Sequence, residues 1–128
     1  MLQMKEVTVG AIGTCCYILW DDARTDCVVI DPGDEPERIR KAADGRTIAA
    51  ILLTHGHIDH ILALEDLRTP NTIVCIHKDD AHMLVERDLF TSMVPHDPRP
   101  MRPAEFQFER DGKYKVDPFE FYVIHTPG

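Results

Sequence analysis

The run Ile48-Ala49-Ala50-Ile51-Leu52-Leu53 is apolar at every position. Successive side chains of a strand point to opposite faces, so this run has no polar side to offer water and predicts a central strand covered on both faces. It is far shorter than the about 20 residues that span a bilayer. The strand also has a direction, delivering Thr54 and His55 to its C-terminal end.

The flanking sequence supplies neighbours for such a strand. Lys5 to Val9 alternates, Cys16 to Trp20 is apolar and Cys27 to Ile30 is β-branched, predicting three strands that open the chain in antiparallel fashion. Asp31-Pro32-Gly33-Asp34 has the residue types of a turn, and Glu35 to Ala43 has helical composition with acids first and bases later, as the helix dipole favours. Beyond the central run, Ile61 to Leu67 has helical spacing, Thr72 to Ile76 predicts a strand and Asp79 to Arg87 a helix. The proline-rich stretch Pro95 to Pro103 is expected to be a loop, and Phe106 to Glu109 and Phe119 to Ile124 are expected to close the chain as strands around Asp111-Gly112.

A chain of 128 residues has room for one domain and one core, so residues 1–128 are read as a single unit. With 44% hydrophobic and 28% charged residues it can build that core. The net charge of −8, with no basic run among 14 lysines and arginines, argues against a nucleic-acid partner. Met1 to Lys5 lacks a signal-peptide pattern and no membrane span is written, so the expected location is the cytoplasm. The four cysteines spell neither a disulfide framework nor a zinc ribbon and are expected to be reduced and mostly buried.

The chemistry concentrates in His55-Gly56-His57-Ile58-Asp59-His60. Neutral imidazole and carboxylate are natural ligands for a catalytic divalent metal. On an extended exit from a strand, His55 and His57 point the same way and can converge on one metal, with Gly56 between them free to take an unusual backbone angle. Asp59 and His60 fall where the chain turns into the next helix and can face a second point about 3.5–4 Å away, the spacing of two-metal sites. The plain alternative is a polar surface loop. Three of the seven histidines and an aspartate within six positions, directly after an apolar strand, weigh against it.

Thr54-His55-Gly56-His57-Ile58-Asp59-His60 resembles the HxHxDH motif of the metallo-β-lactamase-fold hydrolases. Gly13 to Leu19, Val28 to Gly33 and Val123 to Gly128 are similar, in the same order, to the glyoxalase-II-like (hydroxyacylglutathione hydrolase-like) branch. The resemblance implies an α+β fold, a four-layer αββα sandwich. It implies one or two divalent ions, zinc above all, with His55 and His57 on the first, Asp59 and His60 on the second, and Asp31 steadying the motif loop from behind. Asp59 is then also the catalytic carboxylate, orienting the attacking water. The activity implied is hydrolysis of a small-molecule thioester or related ester, with a lactonase as the nearest alternative; oligomeric state is left open.

In that family a third histidine follows the segment matched by His125-Thr126-Pro127-Gly128, and a bridging aspartate and a last histidine come later, whereas this sequence ends at Gly128. The expectation is therefore a partial domain, the N-terminal portion of the sandwich, that binds metal weakly when alone and could be a non-catalytic remnant. His125 stands four before the absent ligand and is not assigned to the metal. Cys15 replaces a frequent asparagine, and Ile61-Leu62 replace frequent glycines. Cys75 with His77 is a possible but poorer ligand pair, better explained as a core thiol and a strand-end imidazole. Arg99, Arg102, His82 and His96 are read as solvated loop and surface residues.

Overall fold

The computed structural model describes residues 2–10, 13–54, 63–78, 104–108, 112–116 and 119–123. Strands β1 (Leu2–Val9), β2 (Thr14–Asp21), β3 (Asp26–Ile30), β4 (Thr47–Leu52), β5 (Ile73–His77) and β6 (Phe106–Phe108) form one sheet in chain order. β1 to β3 are joined by turns and pair antiparallel, whereas β3 to β6 are parallel. Parallel neighbours need a crossover. Helix α1 (Pro36–Ala43) makes it between β3 and β4, and the single-turn helix α2 (Leu64–Leu67) lies between β4 and β5. The antiparallel opening and the central position of β4 are as expected from sequence.

One face of the sheet carries Val7, Val9, Cys16, Ile18, Cys27, Val29, Ile51, Val74 and Ile76, buried against Ile39, Ala42 and Ala43 of α1 and Leu64 and Leu67 of α2. Ile48 joins this face although it is three residues from Ile51. The β3–β4 register shifts between Cys27 and Val28, so that Cys27 faces Ile48 while Val28 faces Ala50, leaving Ala49 as an extra residue in β4. The opposite face buries Val28, Ala50, Cys75 and Phe108, with Leu19, Ile30 and Leu52 around them.

That second face is where a further layer begins. Strands β7 (Gly112–Val116) and β8 (Phe119–Val123) form an antiparallel hairpin, and Tyr114 of β7 packs on the second cluster, edge-on to Phe108 at 4.7 Å and Phe106 at 5.8 Å between ring centroids. Helices, mixed sheet and second sheet succeed one another as in an αββα sandwich.

Two sequence expectations change here. Phe106–Phe108 does not pair across Asp111-Gly112; it adds parallel to β5, and the partner of the last strand is Gly112–Val116. The alternation Lys113-Tyr114-Lys115, with both lysines exposed and Tyr114 turned inward, is the period of a half-buried strand. Helix α1 starts at Pro36, a residue suited to the first helical position, leaving Glu35 outside in the left-handed region at φ 52°. Of the helix expected over Ile61–Leu67, the described part spans Leu64–Leu67. The expected helix Asp79–Arg87 and loop Pro95–Pro103 lie outside the described residues.

Candidate metal centre

In parallel sheets the strand C-terminal ends are where chain reversals gather polar groups, and ligands bind there. Asp31 follows the end of β3, Thr54 follows β4, and His77 ends β5. Asp31 is 5% exposed and takes φ 54°, a conformation that aspartate tolerates better than most residues. Its N–H donates to the Leu52 carbonyl at 3.1 Å, extending the β3–β4 ladder past the strand ends. Its carboxylate accepts from the Thr54 N–H at 2.8 Å and from the Thr54 hydroxyl at 2.5 Å. Buried carboxylate oxygens engaged by both donors of one residue fix that residue's backbone and rotamer together.

The next residue holds the other end of the same excursion. The Pro32 carbonyl accepts from the Ala63 N–H at 3.0 Å, immediately before α2. Thr54 and Ala63 bracket residues 55–62, so the segment departs from and returns to the adjacent residues Asp31 and Pro32. His55, His57, Asp59 and His60 fall within it and lie outside the described residues. Among the described residues no group of three or more His, Cys, Asp or Glu side chains could hold a metal ion. The Pro32 anchor was not anticipated, because a backbone carbonyl leaves no mark in sequence.

Burial raises three of the thiols. Burial, with a smaller contribution from nearby Asp31, pushes the Cys16 thiol up to about 12. Burial does the same to Cys75, to about 12, with Glu105 adding to it, and to Cys27, to about 11. Thiols held protonated in this way are poor metal ligands, and Cys75 accordingly belongs with the core, next to the buried His77. Three of the four thiols are buried, as expected from sequence, while Cys15 is exposed and contacts the Glu6 carboxylate at 3.5 Å. Glu6 first, then Cys15, raise the Tyr17 phenol, with Asp31 contributing further, so Glu6, Cys15, Tyr17 and Asp31 share one field beside the start of β2.

The thiol pattern has a direct consequence. At pH 8 iodoacetamide is expected to modify Cys15 at least about a hundredfold faster than Cys16, Cys27 or Cys75, because alkylation proceeds through the thiolate. Peptide mass mapping over time reads this out, and comparable labelling of Cys75 would contradict the burial described.

Comparison with known proteins places this arrangement. Residues 9–128 match the model of the metallo-beta-lactamase superfamily, and the chain belongs to that superfamily, whose members depend on bound metal. It is 34% identical over 131 residues to a probable metallo-hydrolase, YqgX, of Bacillus subtilis (strain 168), the match covering 99% of this chain and 61% of that protein. It is 27% identical over 136 residues to the hydroxyacylglutathione hydrolase GloC of Haemophilus influenzae, covering 99% of this chain and 62% of that one. The crystal structure of the BLEG-1 B3 metallo-beta-lactamase superposes with a TM-score of 0.83 at 32% identity over 98% of this chain and 62% of its own. That of TTHA1623 in a di-iron-bound form gives 0.60 at 33% identity over 79% of this chain and 54% of its own. The chain thus spans about three fifths of the length of the curated relatives it matches. The metallo-β-lactamase α+β fold expected from the motifs is the fold observed.

Proposed function

We propose that the protein to which this chain belongs is a metal-dependent hydrolase of a small-molecule thioester or related ester, acting in the cytoplasm. The observation that carries the reading is the double anchoring at Asp31 and Pro32, which holds both ends of the segment bearing His55, His57, Asp59 and His60 at the C-terminal ends of β3 and β4. The donor set fits a divalent cation of the zinc or iron type: three imidazoles and a carboxylate. His55 and His57 are assigned to a first ion and Asp59 and His60 to a second, with Asp31 positioning the segment through Thr54. Bound metal would supply an acidified water near neutral pH and polarise the carbonyl under attack. Asp59 is assigned the orientation of the attacking water, whose hydrogen a carboxylate oxygen can accept.

The thioester reading draws on the likeness to the hydroxyacylglutathione hydrolase of Haemophilus influenzae. A second reading, opening of a β-lactam, is favoured by the superposition on the BLEG-1 enzyme. Both reactions transfer an acyl group to water. The deciding experiment compares the 128-residue chain with a protein carrying it at the full length of its relatives. Metal content is measured by elemental analysis, and turnover with a hydroxyacylglutathione thioester and with a chromogenic cephalosporin. We expect up to two ions and thioester hydrolysis in the longer protein, and weak uptake with little turnover in the 128-residue chain. Tight stoichiometric metal and robust turnover in the short chain would overturn the ligand count. Turnover of the cephalosporin alone would select the second reading.

A further inference from the structure

We propose that Glu35 is a positioning residue, its carboxylate locking the β1–β2 turn to the segment that anchors both ends of the motif loop; the link to a reaction rests on the function proposed above. Residues 31–35 work as a hub with two ends. At one end, Asp31 and Pro32 hold Thr54 and Ala63. At the other, the Glu35 carboxylate accepts from the Gly10 N–H at 2.9 Å, and Gly10 in turn accepts through its carbonyl from the Gly13 N–H at 3.2 Å across the turn.

Several features set Glu35 apart from an ordinary helix-start residue. A side chain at the N-cap usually satisfies the first helical N–H groups. Glu35 makes no such cap bond; its carbonyl accepts from Arg38 and Ile39, and its carboxylate is turned away to β1. The left-handed backbone at φ 52°, held in part by the Glu35 N–H donating to Asp34 Oδ1 at 2.8 Å, accompanies that outward aim. Arg38 completes a clasp, donating to the Thr8 carbonyl at 2.7 Å and lying 3.5 Å from the Glu35 carboxylate. The turn also approaches the hub closely. Gly10 sits at φ 78°, a conformation that favours glycine, and a Cβ there would stand 3.3 Å from the Asp34 Cβ, a tight contact.

The magnitudes favour placement over stability. The Glu35 and Arg38 side chains are 45% and 55% exposed, and an ion pair this exposed contributes little to folding. What the clasp fixes is where one strand end stands relative to another. Beyond the turn, β2 begins with buried Thr14, and Cys16 and Tyr17 already feel the Asp31 charge. The turn and the motif anchors are therefore two sides of one strand-end surface, and Glu35 joins them.

Residue-resolved amide exchange on the 128-residue chain tests this without metal or turnover. In Glu35→Ala the Gly10, Thr54 and Ala63 amides are expected to exchange about tenfold faster, with amides inside β3 and β4 unchanged, as for a local opening. Glu35→Gln keeps an oxygen for the Gly10 N–H and is expected to restore all three to within about threefold of the parent. Acceleration at Gly10 alone would overturn the coupling. Acceleration of every sheet amide together would reduce Glu35 to a stabilising residue and also overturn it. In a longer protein that binds metal and turns over, Glu35→Ala should lower kcat about tenfold, because Thr54 and Ala63 hold the segment bearing the assigned ligands, and Glu35→Gln should restore it to within about threefold. If the longer protein takes up no metal, the proposed function fails while the exchange comparison on the 128-residue chain still decides the clasp.

Discussion

Asp31→Ala is expected to lower the unfolding free energy of the chain by about 3 kcal/mol, among the larger effects a single substitution produces. The carboxylate is buried and accepts both donors of Thr54. Deleting it leaves the Thr54 N–H and hydroxyl without their acceptor at a partly buried strand end, and alanine tolerates the left-handed backbone at φ 54° less well than aspartate. Asp31→Asn keeps one oxygen for the N–H and the same backbone tolerance, so it should lose less than half as much. Thr54→Val removes the hydroxyl from the other side, and a double-mutant cycle with Asp31→Asn should show positive coupling, since the two substitutions break one shared bond. Chemical denaturation of the parent and these four variants measures all of this. A loss below about 0.5 kcal/mol for Asp31→Ala, the scale of an ordinary surface change, would mean that Asp31 does not hold the start of the motif segment.

The aspartate was legible in sequence only through family resemblance, and the reason is instructive. Periodicity reports which face of a strand is buried, and that was enough for β1 to β5 and for the central place of β4. It does not report what a turn residue reaches across the chain. Asp31 acts on a residue 23 positions away and Pro32 acts through its carbonyl, so neither contact has a local pattern. The same limit explains β4, where an extra residue at Ala49 puts Ile48 and Ile51 on one face, a register shift invisible in an all-apolar run. The missed strand β7 is a different case. Its alternation was present, but two lysines and a leading glycine gave it the composition of a turn, and only Tyr114 packing on Phe108 reveals its buried side. The charge and neighbours of Glu35 suit a helix, whereas Pro36 supplies a natural first residue and frees Glu35 for Gly10. The motif itself stands out in sequence because metal ligation, the role proposed for it, demands particular residue types at particular spacings, a local requirement that sequence can carry whole.

The proposed division of His55 and His57 from Asp59 and His60 leads to the prediction with the largest kinetic effect. In a protein carrying the completed site, Asp59→Asn is expected to lower kcat by about a hundredfold or more while about one ion stays bound. The change preserves size and removes the negative charge that favours the second cation, and it exchanges one acceptor oxygen for an NH2 donor that cannot take a hydrogen bond from the attacking water. His55→Ala acts on the other pair. It removes a neutral nitrogen donor that is assigned to the first ion and has no assigned contact with the attacking water, so metal content should fall together with activity. High concentrations of added zinc should recover part of the activity of His55→Ala by mass action, and none of the loss in Asp59→Asn that arises from the missing carboxylate. Thermal unfolding should change little in either variant without metal, since the anchors at Thr54 and Ala63 stay in place. Metal analysis and kcat on the two variants, with and without added zinc, distinguish the roles. Equal metal loss in both variants, or full activity in Asp59→Asn, would show that these four side chains are divided between the ions in some other way.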